Sequence, residues 1–188
     1  MGLWIVVWSG EGWGGILEKE DIDFRIVATH KLKVLEGAED FLLFVDNPVV
    51  KKDSSRETEL KSNVASLLKM RRFLKKGGHL AVFPAGEASD YRMRDYPWRH
   101  SVTKITKYCD YVVPLWVSGP GHTFLYDFLD IIKPSLRGAV SLREAWKMKG
   151  KKVVLNIGKS ISTEDLKLIG ENGEVIKYLR EKSEELAL

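Results

Sequence analysis

Between Gly78 and Ser89 the chain reads Gly-His-Leu-Ala-Val-Phe-Pro-Ala-Gly-Glu-Ala-Ser, and its punctuation restricts the fold. Leu80 to Phe83 is a short, almost wholly apolar run, the pattern of a strand buried on both faces of an α/β sheet. Pro84 has no N–H for a ladder, so the chain leaves the sheet there. Gly86 permits a tight turn and the close approach of a ligand. Glu87 and Ser89 then place an anion and a hydroxyl on the same loop. A polar, glycine-containing turn at the carboxyl end of a buried strand is where open α/β sheets carry their sites. An ordinary strand–loop junction has the same physical features, so these alone leave both readings open.

Five further apolar runs have strand length: residues 3–8, Phe24 to Ala28, Phe41 to Val45, Tyr111 to Val117 and Lys152 to Ile157, which reads as the last strand. Pro114 inside the fourth of these argues for an edge position or a bulge. Ser54-x-x-Glu57 is a capping box that opens a helix running to about Leu74. Its apolar stripe is Leu60, Val64, Leu67 and Leu74, with Arg71 on the same face. Trp98 to Lys107 reads as a helix, and Ser141 to Lys149 as a short basic helix or loop. Ser162-x-x-Asp165 caps another short helix. Glu174 to Leu186 forms a charged amphipathic helix with Val175, Leu179 and Leu186 inward. Strand-length and helix-length segments together predict an α/β fold with a mostly parallel mixed sheet flanked by helices.

At 188 residues, without repeats, linkers or low-complexity tracts, the expectation is a single domain over residues 1–188. Cys109 stands alone, which removes an internal disulfide framework and points to a reducing compartment. The net charge of +4 suits an anionic lipid, nucleic acid or acidic carrier protein without choosing among them. No nucleic-acid-binding motif supports the second, so no nucleic-acid partner is expected. No apolar run reaches the roughly 20 residues of a spanning helix. No Cys/His cluster has metal spacing, no Gly-x-x-x-x-Gly-Lys-Ser/Thr loop occurs, and neither Ser9 nor Ser118 sits in a nucleophile elbow. Metal chemistry, a phosphate loop and a covalent hydrolase are accordingly not expected.

The segment Phe83-Pro84-Ala85-Gly86-Glu87-Ala88-Ser89 resembles the third motif of the glycerolipid acyltransferases, commonly Phe-Pro-Glu-Gly-Thr-Arg-Ser. It is still more similar to the Phe-Pro-Ala-Gly-Glu form of the hemolysin-type lysophospholipid acyltransferase branch. Upstream, Phe44-Val45-Asp46-Asn47-Pro48 resembles that branch's strand and turn. A helix containing Asn63 and ending Leu74-Lys75-Lys76-Gly77-Gly78 follows. Downstream, Asp95-Tyr96-Pro97-Trp98 resembles Asp-x-x-Trp, Val112-Val113-Pro114-Leu115 the fourth motif, and Val153 to Gly158 the last strand. The ordered similarity spans about Arg25 to Asp165.

The resemblance implies a glycerol-3-phosphate acyltransferase-like fold and acyl transfer from acyl-CoA or acyl-carrier protein. The acceptor is lysophospholipid-like or an amino lipid, and no further cofactor is needed. It implies a cytoplasmic protein held peripherally at the inner face of a membrane. Phe83, Pro84, Ala85, Gly86, Glu87, Ser89 and Pro114 would bind substrate: Gly86, Glu87 and Ser89 would help hold the acceptor's polar head, or Glu87 would alternatively orient a cationic amine, and the strand holding Pro114 would help shape the acyl pocket. The family's first motif, Asn-His followed four or five residues later by Asp, supplies the general base. Residues 8–23 contain no histidine, and Gly14-Gly15 with Glu18 only approximates that loop. A chain lacking the family's N-terminal part, a diverged enzyme and a non-catalytic acyl-thioester- or lipid-binding relative all fit this departure.

The histidines give no clear substitute. His30 follows the second strand and reads as structural; His100 reads as a surface residue. His122-x4-Asp127 matches the first motif in letters, but it lies after the fourth motif, where positions five apart on a helix do not face each other. Lys69, Arg71, Arg72, Lys75 and Lys76 make one helix end strongly basic. They read as a solvated surface favoured by the helix dipole, or as a dock for anionic headgroups or an acidic carrier protein.

Overall fold

The computed structural model describes residues 2–8, 23–29, 37, 40–45, 56–86, 97–118 and 150–187. Each of the six apolar runs forms a strand: β1 (Gly2–Trp8), β2 (Phe24–Thr29), β3 (Leu42–Val45), β4 (His79–Val82), β5 (Tyr111–Ser118) and β6 (Val154–Ile157). The expectation that Lys152 to Ile157 is the last strand is corrected by a two-residue strand, β7 (Ile161–Ser162). Among the described residues four helices accompany them: α1 (Arg56–Lys75), α2 (Ser101–Thr106), α3 (Thr163–Ile169) and α4 (Asn172–Glu184). The architecture is α/β. Among the described residues, no helix is long and apolar enough to cross a membrane.

The strands join in the order β3-β2-β4-β1-β5-β6, and β7 pairs with β5. Among the described residues, parallel pairing is confined to β2 with β3 and β2 with β4. The pairings β1–β4, β1–β5, β5–β6 and β5–β7 are antiparallel. The sheet is therefore mixed as expected, but not mostly parallel. The cause is β1, which lies between β4 and β5 and runs against both. Strands β2, β3, β4 and β5 consequently all point the same way and share one carboxyl edge.

Pro114 is not on an edge strand. It pairs in register with Ile5 of β1, in the interior of the sheet. Its carbonyl accepts the Gly158 amide at 2.9 Å, so its missing N–H faces the same side, away from β1. On that side β6 pairs with Leu115 to Ser118 and β7 with Tyr111 and Val112. The ladder is interrupted opposite Pro114, where a donor is not needed. Gly158 sits in this break; a Cβ there would lie 3.1 Å from the Pro114 ring.

One hydrophobic cluster joins all four described helices to the sheet. Met70 and Leu74 of α1, Val102 and Ile105 of α2, Leu166 of α3, and Val175 and Leu179 of α4 meet Leu80, Val82 and Val112 there. Ala81, Val113 and Leu115, on the opposite face by strand alternation, form a second cluster. The buried stripe of α1 is centred on Met70, with Ser66 and Leu74. Leu67 and Leu74 belong to it as expected, but Val64 is 55% exposed. At 100° per residue Val64 stands about 80° from Leu74 around the helix, on the side away from Met70. The capping serine Ser54 and segment 141–149 lie outside the described residues.

α1 ends in a Schellman closure. The Gly78 amide reaches the Phe73 carbonyl at 3.2 Å and the Gly77 amide reaches the Leu74 carbonyl at 2.9 Å, with Gly77 at φ +85°. α2 begins three residues later than expected, because the Arg99 amide is bonded to the Pro84 carbonyl beyond the end of β4. α3 is capped as the sequence predicts: the Ser162 hydroxyl accepts the Asp165 amide at 3.0 Å. In α4, Val175 and Leu179 are buried and Leu186, just beyond it, is half-buried.

Candidate functional site

The end of β4 is a tight, internally bonded turn. The Gly86 amide donates to the Phe83 carbonyl at 3.0 Å, and Gly86 has φ +71°. Pro84 is fully buried, Ala85 packs on the main cluster, and Phe83 stays 39% exposed. The chain returns over this turn at Trp98–Arg99. The Arg99 amide donates to the Pro84 carbonyl at 3.0 Å, and its Nε donates to the Ala85 carbonyl at 3.0 Å. Trp98 is buried beside them in the main cluster. Gly86 is required twice over: by its positive φ, and because a Cβ would stand 2.8 Å from Arg99 Nε.

Topology makes this turn a candidate site. β2 and β4 are parallel neighbours, yet the chain leaving β2 goes to β3 on one side and the chain leaving β4 goes past β1 to β5 on the other. Such a divergence is a topological switch point, and the crevice outside the carboxyl ends of those two strands is where open α/β sheets bind ligands. Phe83 to Gly86 lie at the carboxyl end of β4, on this side of the switch point. Pro114 is level with Val82, since both pair with Ile5. It lies two strand spacings away, or about 10 Å. Glu87 and Ser89 lie outside the described residues, as do Asp46, Asn47, Asp95 and Tyr96.

The histidines divide by edge. His79 opens β4 and is therefore at the amino edge of that strand, remote from the turn. His100 lines a cavity of about 640 Å³ among α2, α3 and the start of α4, with Thr103, Thr106 and Lys167. His30 and His122 lie outside the described residues. Cys109 is buried, and its Sγ donates to the Thr106 carbonyl at 3.2 Å. Burial, with help from neighbouring Asp110, pushes its thiol up to about 12, which keeps it protonated and non-nucleophilic at neutral pH. Among the described residues, no group of three His, Cys, Asp or Glu side chains is placed to hold a metal ion.

The basic end of α1 is parted by the fold. Arg71 stacks on the Tyr108 ring, 4.9 Å from its centroid, and so ties α1 to the end of α2. Lys75 is exposed. Lys69, Arg72 and Lys76 instead line an open groove of about 790 Å³ together with Asp23 and Arg25 from the start of β2. Leu42, Leu43, Phe44 and Phe73 supply its apolar lining. This groove lies at the amino edge of β2 and β3, across the sheet from the Phe83–Gly86 turn.

Two contributors were not visible as site residues in the sequence. Arg99 acts across 13 intervening residues; its only signal is its place directly after the Asp-x-x-Trp segment. Arg25 joins the basic groove from a strand far from α1 in the chain, and nothing local marks it. Comparison with family models, with curated proteins and with solved structures finds no match.

Proposed function

We propose that this chain transfers a fatty acyl group from acyl-CoA or acyl-carrier protein to a lysophospholipid-like or amino-lipid acceptor at a membrane surface. The observation that carries the reading is the position of Phe83-Pro84-Ala85-Gly86: the segment that resembles the acyltransferase third motif forms the turn at the switch point of the sheet. In the reaction the acceptor's hydroxyl or amine attacks the thioester carbonyl, the C–S bond breaks, and the thiolate leaves with the proton. The turn's own polar groups are largely engaged, Gly86 N–H with Phe83 and the Pro84 and Ala85 carbonyls with Arg99. Its part is thus that of a bonded turn, and Glu87 and Ser89, next in the chain, are the groups proposed to meet an acceptor head group. The glycerol-3-phosphate acyltransferase-like fold belongs to the same proposal.

A second reading has its own observation. Residues 8–23 hold no histidine, and of the described histidines one stands at the opposite edge and the other lines the α2–α4 cavity. A scaffold that binds an acyl thioester or lipid without turning it over fits this arrangement. Absence of a positioned base costs roughly 10²–10⁴ in rate. The deciding assay offers labelled acyl-CoA and a panel of lysolipids in detergent or liposomes, beside Glu87→Ala. Transfer that falls in Glu87→Ala is the expected result. Acyl-CoA binding without transfer to any acceptor, by folded protein, favours the binding scaffold and overturns the enzyme.

A further inference from the structure

The groove at the amino edge of β2 and β3 has an unbalanced charge. Among the described residues, Arg25, Lys69, Arg72 and Lys76 line it, and Asp23 is the one acidic lining residue. Asp23 is already committed: its Oδ1 accepts Arg25 Nε at 3.2 Å. The Arg25 guanidinium also lies 4.9 Å from the Phe73 ring centroid, so it is held from two sides. Lys69 and Arg72 are three residues apart on α1 and Lys76 follows its last residue, a spacing of three and four that keeps them on one side of the helix end.

Two structural explanations for these cations are weak. A helix C-terminus recruits cations to its orphan carbonyls. Here the Phe73 and Leu74 carbonyls are already taken by the amides of Lys76, Gly77 and Gly78. Carboxylates on the same helix face would neutralise a solvated stripe, but the last two turns of α1 contain none. The remaining lining is apolar, Leu42, Leu43, Phe44 and Phe73. A space of about 790 Å³ exceeds what a bare phosphate needs and falls in the range of small-molecule sites.

We infer that this groove binds a phosphate ester with an organic body, its phosphate held by Arg72, Lys76 and Lys69 and its body laid against the Phe73 ring and the β3 chain at Leu42–Phe44. A phosphate monoester carries close to two negative charges at neutral pH, which matches the local excess of cations. Arginine adds the planar fork that suits phosphate oxygens. The site is separate from the Phe83–Gly86 turn and does not depend on the acyltransferase reading. The same chemistry has two sources, a soluble phosphate ester or the headgroup of a phosphomonoester lipid.

Both are tested on the full chain by binding rather than turnover. The probes are adenosine 3′,5′-bisphosphate by calorimetry, and phosphatidylcholine vesicles doped either with phosphatidic acid or with phosphatidylserine at matched surface charge. The variants are Arg72→Gln/Lys76→Gln in the groove and Lys75→Gln/Lys104→Gln outside it, each checked for native circular dichroism. We expect binding that weakens by about tenfold or more in the groove variant, the loss of charge-assisted hydrogen bonds, and stays unchanged in the control. Binding of the bisphosphate assigns a soluble ligand; vesicle binding that requires phosphatidic acid assigns the lipid. No binding of either probe, equal binding to phosphatidylserine vesicles alone, or equal loss in both variant pairs overturns the inference.

Discussion

Arg99 closes the Phe83–Gly86 turn from both its backbone and its side chain, and Gly86 makes room for it. The two residues are one device, and neither is replaceable without moving the other. Cys109 shows the converse, a reactive group type made inert by position. Its thiol, raised to about 12, holds about a thousandfold less thiolate at neutral pH than an ordinary cysteine. We expect alkylation at pH 7.5 to be slower in the native protein than in denaturant by that order; equal rates would contradict the burial. The sign of the linked stability follows. A thiol ionised in the unfolded chain above pH 9.0 but protonated in the fold until about 12 makes a contribution that is complete below pH 9 and is lost between those values. The stability difference between the native chain and Cys109→Ala should therefore shrink across that window. The sequence showed Gly86 because a glycine after Pro84 has a local meaning. It could not show Arg99, whose meaning is a contact between distant segments.

Elements were legible where a local pattern decides them. Six short apolar runs form six strands, and the Ser162–Asp165 cap starts α3 where its letters say. The α1 stripe was misjudged by its apolar letters, because Ser66 is buried and Val64 exposed. Which face of a helix is covered depends on its neighbours, here β3, β4 and α2, as much as on its own pattern. The end of α1 offers a sharp test of the Schellman closure. Gly77 has φ +85° and open space around its Cα, so Gly77→Ala carries only the left-handed backbone cost, about 1–2 kcal/mol. Gly78→Ala would drive a methyl into the Phe73 ring, displacing the wall of the basic groove. Urea denaturation should find Gly77→Ala destabilised with an unchanged m-value and phosphate-ester binding intact. Gly78→Ala should weaken that binding as well. Equal stability of Gly77→Ala and the parent chain would contradict the closure.

The order of the strands is a property of the whole molecule, and it was the least legible. The partners of β1 lie more than seventy residues away at β4 and more than a hundred at β5, and no local signal states that pairing. The consequences are the largest in the structure. β1 turns an expected mostly parallel sheet into a mixed one and places Pro114 in an interior strand rather than at an edge. The divergence of the connections leaving β2 and β4 puts the acyltransferase-like motif at the switch point, while the basic groove falls at the opposite edge. On the proposed function the acyl thioester binds at the carboxyl edge of the sheet, whether or not it is turned over. Photolabelling with an acyl-CoA bearing a reactive group in its acyl chain, followed by peptide mapping, tests it most directly. The expected result is saturable labelling in the peptides holding Phe83–Gly86 and Trp98–Arg99, competed by unlabelled acyl-CoA. Labelling that is not competed, or that falls only elsewhere in the chain, would contradict it.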